Sequence, residues 1–236
     1  MLTIDHLTKR FGDLTAVDDL SLAVRPGDIM GFIGANGAGK TTTLRAIAGI
    51  LPFDAGTIKI NGHSITADPI ACKRDMAYIP DNPDLYEHLT GAQYLQFVAD
   101  IYGVSEADRK ERLTRYADTF EMTDRLGDLI GACSHGMRQK IAIIGALIHA
   151  PKLLLLDEPF VGLDPKASYL LKGLMQELCQ SGSAIFFSTH VLEVAEKLCN
   201  RVAIIKGGKL VACGDMDAVK GMRSLENLFL ELTDHA

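Results

Sequence analysis

One stretch constrains this 236-residue chain more than any other: Gly34-Ala35-Asn36-Gly37-Ala38-Gly39-Lys40-Thr41, set between an apolar run, IMGFI, and a helix-forming run, TTTLRAIAGIL. It satisfies G-x-x-x-x-G-K-[ST] in full, in the strand–loop–helix setting that gives the pattern its meaning. Glycines let the backbone curl until successive N–H groups point inward at phosphate oxygens. The helix that opens there adds the positive end of its dipole. The spacing therefore predicts a phosphate cradle lined by Gly34, Asn36, Gly37, Ala38, Gly39, Lys40, Thr41 and Thr42. In it Lys40 reaches the β- and γ-phosphates and the Thr41 hydroxyl ligates Mg²⁺. The competing reading is a Gly-rich turn that holds nothing.

A second feature lies far downstream. Leu153-Leu154-Leu155-Leu156 runs straight into Asp157-Glu158. Taken alone, this is a core strand entering a loop. Beside a phosphate loop it says more, because an open α/β sheet binds its ligand at the carboxyl ends of its strands. Asp157 is then expected in the Mg²⁺ shell, where a cation offsets the cost of a buried carboxylate. Glu158 is expected to face the attacking water as general base.

The rest of the pattern sets the fold class. Residues 1 to about 66 read as short strands and turns, with an Asn61-Gly62 hairpin signal in GTIKINGHSI and one helix after Lys40. From about Leu85 to Ala150 apolar residues recur at helical spacing, with the charged SEADRKERL between them. From Lys152 onward, strands (LLLLLD, SAIFFST, RVAIIKGGKLVACG) alternate with helices over about Lys166–Gln180 and Leu192–Cys199. Continuous apolar strands of this kind are covered on both faces, as in a parallel α/β sheet. The expectation is one domain over 1–236. Residues 1–84 and 150–236 form a mostly parallel sheet flanked by helices with an N-terminal antiparallel β subdomain, and about 85–149 form a helical insertion.

Composition enters by exclusion. A net charge of −6 offers no electrostatic footprint for nucleic acid. Five scattered cysteines without a C-x-x-C pair argue against a disulfide framework or a zinc site, and suit a reducing cytosol. MLTIDHLTKRFGD has no apolar core of a signal peptide. The most apolar stretch, Ile141–Leu156, is broken by His149, Pro151 and Lys152, short of the roughly 20 apolar residues of a spanning helix. The expectation is a chain soluble by itself, whose membrane role, if any, comes through a partner.

Further elements fall in a familiar order. Phe11-Gly12 precedes the phosphate loop, and Ser134-His135-Gly136-Met137-Arg138-Gln139 precedes the carboxylate strand. Gly162-Leu163-Asp164-Pro165 follows Asp157-Glu158-Pro159, and Ser188-Thr189-His190 ends the next strand. Over essentially its whole length the chain resembles the ATP-binding cassette family, whose core is a P-loop NTPase fold. The resemblance implies that Phe11 stacks on adenine, that Asp164 belongs to a dimer-facing loop, and that His190 reaches the γ-phosphate. It further implies that Ser134 and Gly136 contact the ATP of a partner subunit. Ser134 also has a physical rationale as N-cap of a helix with Ile141, Ile144, Gly145 and Ile148 on one face. That N-terminus is a second anion site, which two chains in an isologous pair can use where one cannot. Three departures stand out. Cys133-Ser134-His135-Gly136-Met137 replaces L-S-G-G-Q, Phe11 replaces the commoner Tyr, and Asp81 in Tyr78-Ile79-Pro80-Asp81 replaces Gln. Asp81 either ligates Mg²⁺ or accepts a hydrogen bond from water on a coupling loop, or is a turn residue of Pro-Asp-Asn-Pro.

The resemblance implies an ATPase with ATP and Mg²⁺, a second ATP-binding subunit (homodimer or heterodimer) and an integral membrane permease. It places the chain at the cytoplasmic face of the cell membrane. DEPFVGLDP and SLENLFLELT are similar to the export-type group, and the zone from Tyr86 to Ile101 is where a membrane partner would dock. Two other readings stay open: a soluble cassette ATPase not coupled to transport, and a nucleotide-binding switch that does not hydrolyse.

Overall fold

The computed structural model describes residues 1–234. They divide into two compact units, one of Met1–Tyr78, Lys152–Pro159 and the chain from Met175, the other of Ile79–Pro151 and Phe160–Leu174. In chain order the elements are β1 (Leu2–Phe11), β2 (Leu14–Val24), β3 (Ile29–Ile33), α1 (Lys40–Ile47), β4 (Ala55–Ile60), β5 (His63–Ser64), α2 (Pro69–Asp75) and β6 (Met76–Ile79). Then come α3 (Gly91–Ile101), α4 (Glu106–Thr119), α5 (His135–Leu147), β7 (Leu153–Asp157), α6 (Pro165–Gln180), β8 (Ala184–Thr189) and α7 (Leu192–Leu198). Last are β9 (Arg201–Lys206), β10 (Lys209–Asp215), α8 (Met216–Lys220) and α9 (Leu225–Asp234). Among the described residues no helix is long and apolar enough to cross a membrane.

The first unit holds both sheets. β2-β1-β4-β5 form a four-stranded antiparallel sheet, and β10-β9-β3-β8-β7-β6 a six-stranded one. In the second, β9, β3, β8 and β7 are parallel and β10 runs back, antiparallel to β9. Every residue of β3, β7 and β8 is buried, as the unbroken apolar runs IMGFI, LLLLD and AIFFST require of strands covered on both faces. β10, by contrast, alternates exposed and half-buried positions, the pattern of a sheet edge. Alternation sorts the central side chains: Met30, Phe32, Leu153, Leu155, Ala184, Phe186, Ala203 and Ile205 share one core with α1 and the antiparallel sheet. Phe32 and Phe186 pack rings at its middle, centroids 5.1 Å apart. The Asn61-Gly62 signal is realised: φ is 50° and 85° there, and Ile60 pairs with His63 across the two-residue turn.

The second unit is helical. α3, the first helix of the zone with helical spacing, starts at Gly91, because Thr90 and Gln93 close a capping box in which each side chain accepts the other's backbone N–H, at 3.2 and 2.9 Å. Ser105 caps α4 and Ser134 caps α5 in the same way from one side. α5 is buried nearly all round, at Gln139, Ile141, Ala142, Ile143, Ile144, Gly145 and Leu147. α2 was not foreseen in the sequence. It is a short helix that buries Cys72, started by Asp68 as cap and Pro69 in the first position.

Candidate active site

The phosphate loop joins the end of β3 to the start of α1. Gly39 sits at φ 107°, and a Cβ there would collide with the carbonyl oxygen of Ala16 on β2. Gly34 is pressed as closely: a Cβ would lie 2.6 Å from the Ile205 carbonyl oxygen. Backbone from two strands therefore crowds the loop, and only glycine leaves room for its curl. Lys40 is 7% exposed, and its ammonium folds back to donate to the carbonyls of Gly34 at 2.7 Å and Ala35 at 3.1 Å. Thr43 locks the first turn of α1 by donating to the Gly39 carbonyl at 2.9 Å. Thr41 and Thr42 are half-buried beside it, while Ala35, Asn36 and Gly37 are exposed.

β7 and β8 deliver the acids to the same place. Asp157 ends β7, 1% exposed; its Oδ1 accepts a 2.5 Å hydrogen bond from the Ser188 hydroxyl, and its buried Oδ2 has no partner. The Ser188 oxygen in turn accepts the Glu158 N–H at 3.0 Å. One serine thus holds both acidic residues. Glu158 takes a positive φ of 47°, uncommon for a side-chain-bearing residue. Its Oε1 lies 3.8 Å from the Lys40 ammonium and 3.0 Å from Nδ1 of the half-exposed His190. Burial pushes the Lys40 ammonium below its ordinary value, against the raising effect of the Glu158 and Asp157 carboxylates. The constellation therefore offers a cation, a carboxylate that accepts protons, an imidazole whose Nδ1 lies 3.0 Å from it, and an unsatisfied buried oxygen. It suits phosphoryl chemistry, where positioning and charge matter more than covalent steps. Phe11, at the end of β1, is 48% exposed.

The remaining residues singled out in the sequence belong to the second unit. The Ser134 hydroxyl accepts the Met137 N–H at 3.3 Å and so caps α5. Asp81 accepts the Asn82 N–H at 2.9 Å, an exposed turn contact. Asp164 caps α6 by accepting the Ala167 N–H at 2.8 Å and pairs with Lys140 of α5 at 3.3 Å. Those contacts hold its carboxyl below the usual carboxylate range, the Ala167 N–H foremost. His135 lays its ring edge against Gly162, which has φ 80°. A Cβ at Gly162 would collide with the His135 Cδ2. Gly136 meets the same turn, a Cβ there falling 3.0 Å from the Gly162 carbonyl oxygen.

Residues 17–161 match the ABC transporter family, which is more than half of the chain. This chain belongs to the ABC transporter family. It is 36% identical, over 99% of its length and 96% of the relative's, to the ABC-type transporter ATP-binding protein EcsA of Bacillus subtilis (strain 168). It is 34% identical to the linearmycin resistance ATP-binding protein LnrL of the same organism, covering 91% of this chain and 69% of that one. Among solved structures, one described as an ATP binding subunit of an ABC transporter superposes with a TM-score of 0.95 at 37% identity, over 99% of each chain. The fold is that of the ABC ATPase domains, as expected from the sequence.

Two contacts at residues near these motifs escaped the sequence reading. Ser188 was part of a recognised string, but its hydroxyl was not assigned the bridge between Asp157 and Glu158. The available signal was a polar pair, Ser188-Thr189, closing an otherwise apolar strand; both residues are buried. The ring of His135 against Gly162 had no signal at all, because the two residues lie in different segments of the chain.

Proposed function

We propose that this chain binds and hydrolyses ATP as a single nucleotide-binding domain made of both units. We further propose that it works as a face-to-face pair, and that it powers export through an integral membrane permease at the cytoplasmic face of the membrane. The observation that carries the hydrolytic reading is Glu158 Oε1, placed between the Lys40 ammonium and the His190 imidazole beside a buried, unbonded Asp157 Oδ2.

In this reading the loop N–H groups from Gly34 to Thr42, together with Lys40, hold the phosphates of ATP. Glu158 orients a water and takes its proton, and His190 holds the Glu158 carboxylate and reaches the γ-phosphate. Asp157 Oδ2 and the Thr41 hydroxyl fit Mg²⁺, which binds through one or two protein oxygens and completes its shell from substrate and water. No three His, Cys, Asp or Glu side chains converge into a protein-only cage among the described residues. Bound there, Mg²⁺ would neutralise charge on the phosphate oxygens. Asp81 is assigned to the coupling loop and to the Mg²⁺ shell, Ser134 and Gly136 to the partner's ATP, and Asp164 to the pair interface. Likeness to the Nod factor export ATP-binding protein I of Ralstonia nicotianae, 34% identical over 91% of this chain, supports export over import.

The deciding measurement is ATP turnover by the purified chain and by Glu158→Gln. Loss of the base is expected to slow turnover by about 10²–10⁴-fold while ATP binding persists. Should both proteins bind ATP and be equally inactive, the hydrolytic reading fails.

A further inference from the structure

The hairpin of β1 and β2 carries a charged residue where a core residue would be expected. Leu7, Lys9 and Phe11 share one side of β1: Leu7 is in the core, Lys9 is 8% exposed and Phe11 is 48% exposed. The Lys9 ammonium stands over the Phe11 ring, 5.1 Å from its centroid. Its position is held by Asp54, whose Oδ2 lies 3.7 Å from Nζ and accepts the Arg10 N–H at 2.6 Å. One face of an otherwise exposed aromatic is thus closed by a nearly buried cation.

The same hairpin leads to the phosphate loop. Lys9 pairs with Val17, Arg10 with Thr15 and Phe11 with Leu14, while Ala16 between them abuts Gly39. Phe11 is therefore the outward end of a strand pair whose next residues press on the loop. A cation on one face of a ring draws its π density to that side. The opposite face becomes less negative, which favours stacking by an electron-rich aromatic and disfavours a second cation.

We propose that Lys9 is a positioning residue for the nucleotide base: it fixes the Phe11 ring and tunes its free face for the purine of ATP. The proposal rests on the reading of Phe11 as the base platform. A cation–π contact with a buried ammonium is sizeable but limited, so Lys9→Met is expected to weaken ATP binding and raise KM about three- to ten-fold, with kcat little changed. Lys9→Arg keeps a cation over the ring and restores the affinity.

The test is calorimetric titration of the full chain with Mg-ATP and with Mg-tripolyphosphate, which has no base, for wild type, Lys9→Met, Lys9→Arg and Phe11→Ala with and without Lys9→Met. Support is a loss confined to ATP in Lys9→Met, rescue in Lys9→Arg, and no added effect of Lys9→Met once Phe11 is Ala. Equal losses for ATP and tripolyphosphate would overturn the proposal, since Lys9 would then serve the loop or the fold. If Phe11→Ala binds ATP like wild type, the platform reading itself falls and takes the role of Lys9 with it.

Discussion

At Ser188 a single hydroxyl does two jobs, donating to Asp157 and accepting from the Glu158 N–H, with no exposure to water. Ser188→Ala leaves a buried N–H and a buried carboxylate oxygen short of partners. It should cost about 1–3 kcal/mol in chemical denaturation, and lower turnover further than the stability loss alone accounts for. Lys40 makes the pH dependence of the site readable. Its folded-state value lies below the ordinary 10.5, so across the window between the two the unfolded chain holds the proton and the folded chain does not. Stability owed to this group therefore rises with pH over that window. Glu158→Gln removes the larger of the two charges that raise Lys40, pushing its value lower still and widening the window toward neutral pH. Denaturation of both proteins across alkaline pH should show the variant gaining on wild type as pH rises toward the titration of Lys40. A constant difference would contradict the coupling.

At the scale of elements, the caps decide where helices begin. Thr90→Ala removes the hydroxyl that accepts the Gln93 N–H, one of the two hydrogen bonds of the capping box on α3, and should cost about 1 kcal/mol, read as a lower midpoint in urea at unchanged slope. The box was present in the sequence as Thr90 and Gln93, yet helical spacing running back to about Leu85 obscured it. Periodicity reports which face of a segment is apolar, and it says little about which residue begins the helix. Strands were easier to read. IMGFI, LLLLD and AIFFST have no polar interruption, and a segment with that composition has to be covered on both faces. The phosphate loop was equally readable because its residues are contiguous. The contacts of Ser188 and His135 were not, since each acts on a residue brought near by the fold.

For the whole molecule, no helix among the described residues is long and apolar enough to cross a membrane. Coexpressed with the permease proposed above, the chain should sediment with membranes, and an alkaline carbonate wash should release it into the supernatant; retention after the wash would contradict a peripheral subunit. The contact of His135 with Gly162 has a consequence for how such a sequence can change. With the ring in place, a Cβ at 162 meets the His135 Cδ2 and Nε2, so a side chain there requires the exposed imidazole to swing aside as well as a tolerance of positive φ, which asparagine has. The two positions are therefore coupled. Replacing His135 by glycine first removes that displacement, so the same change at 162 costs less after it than before it.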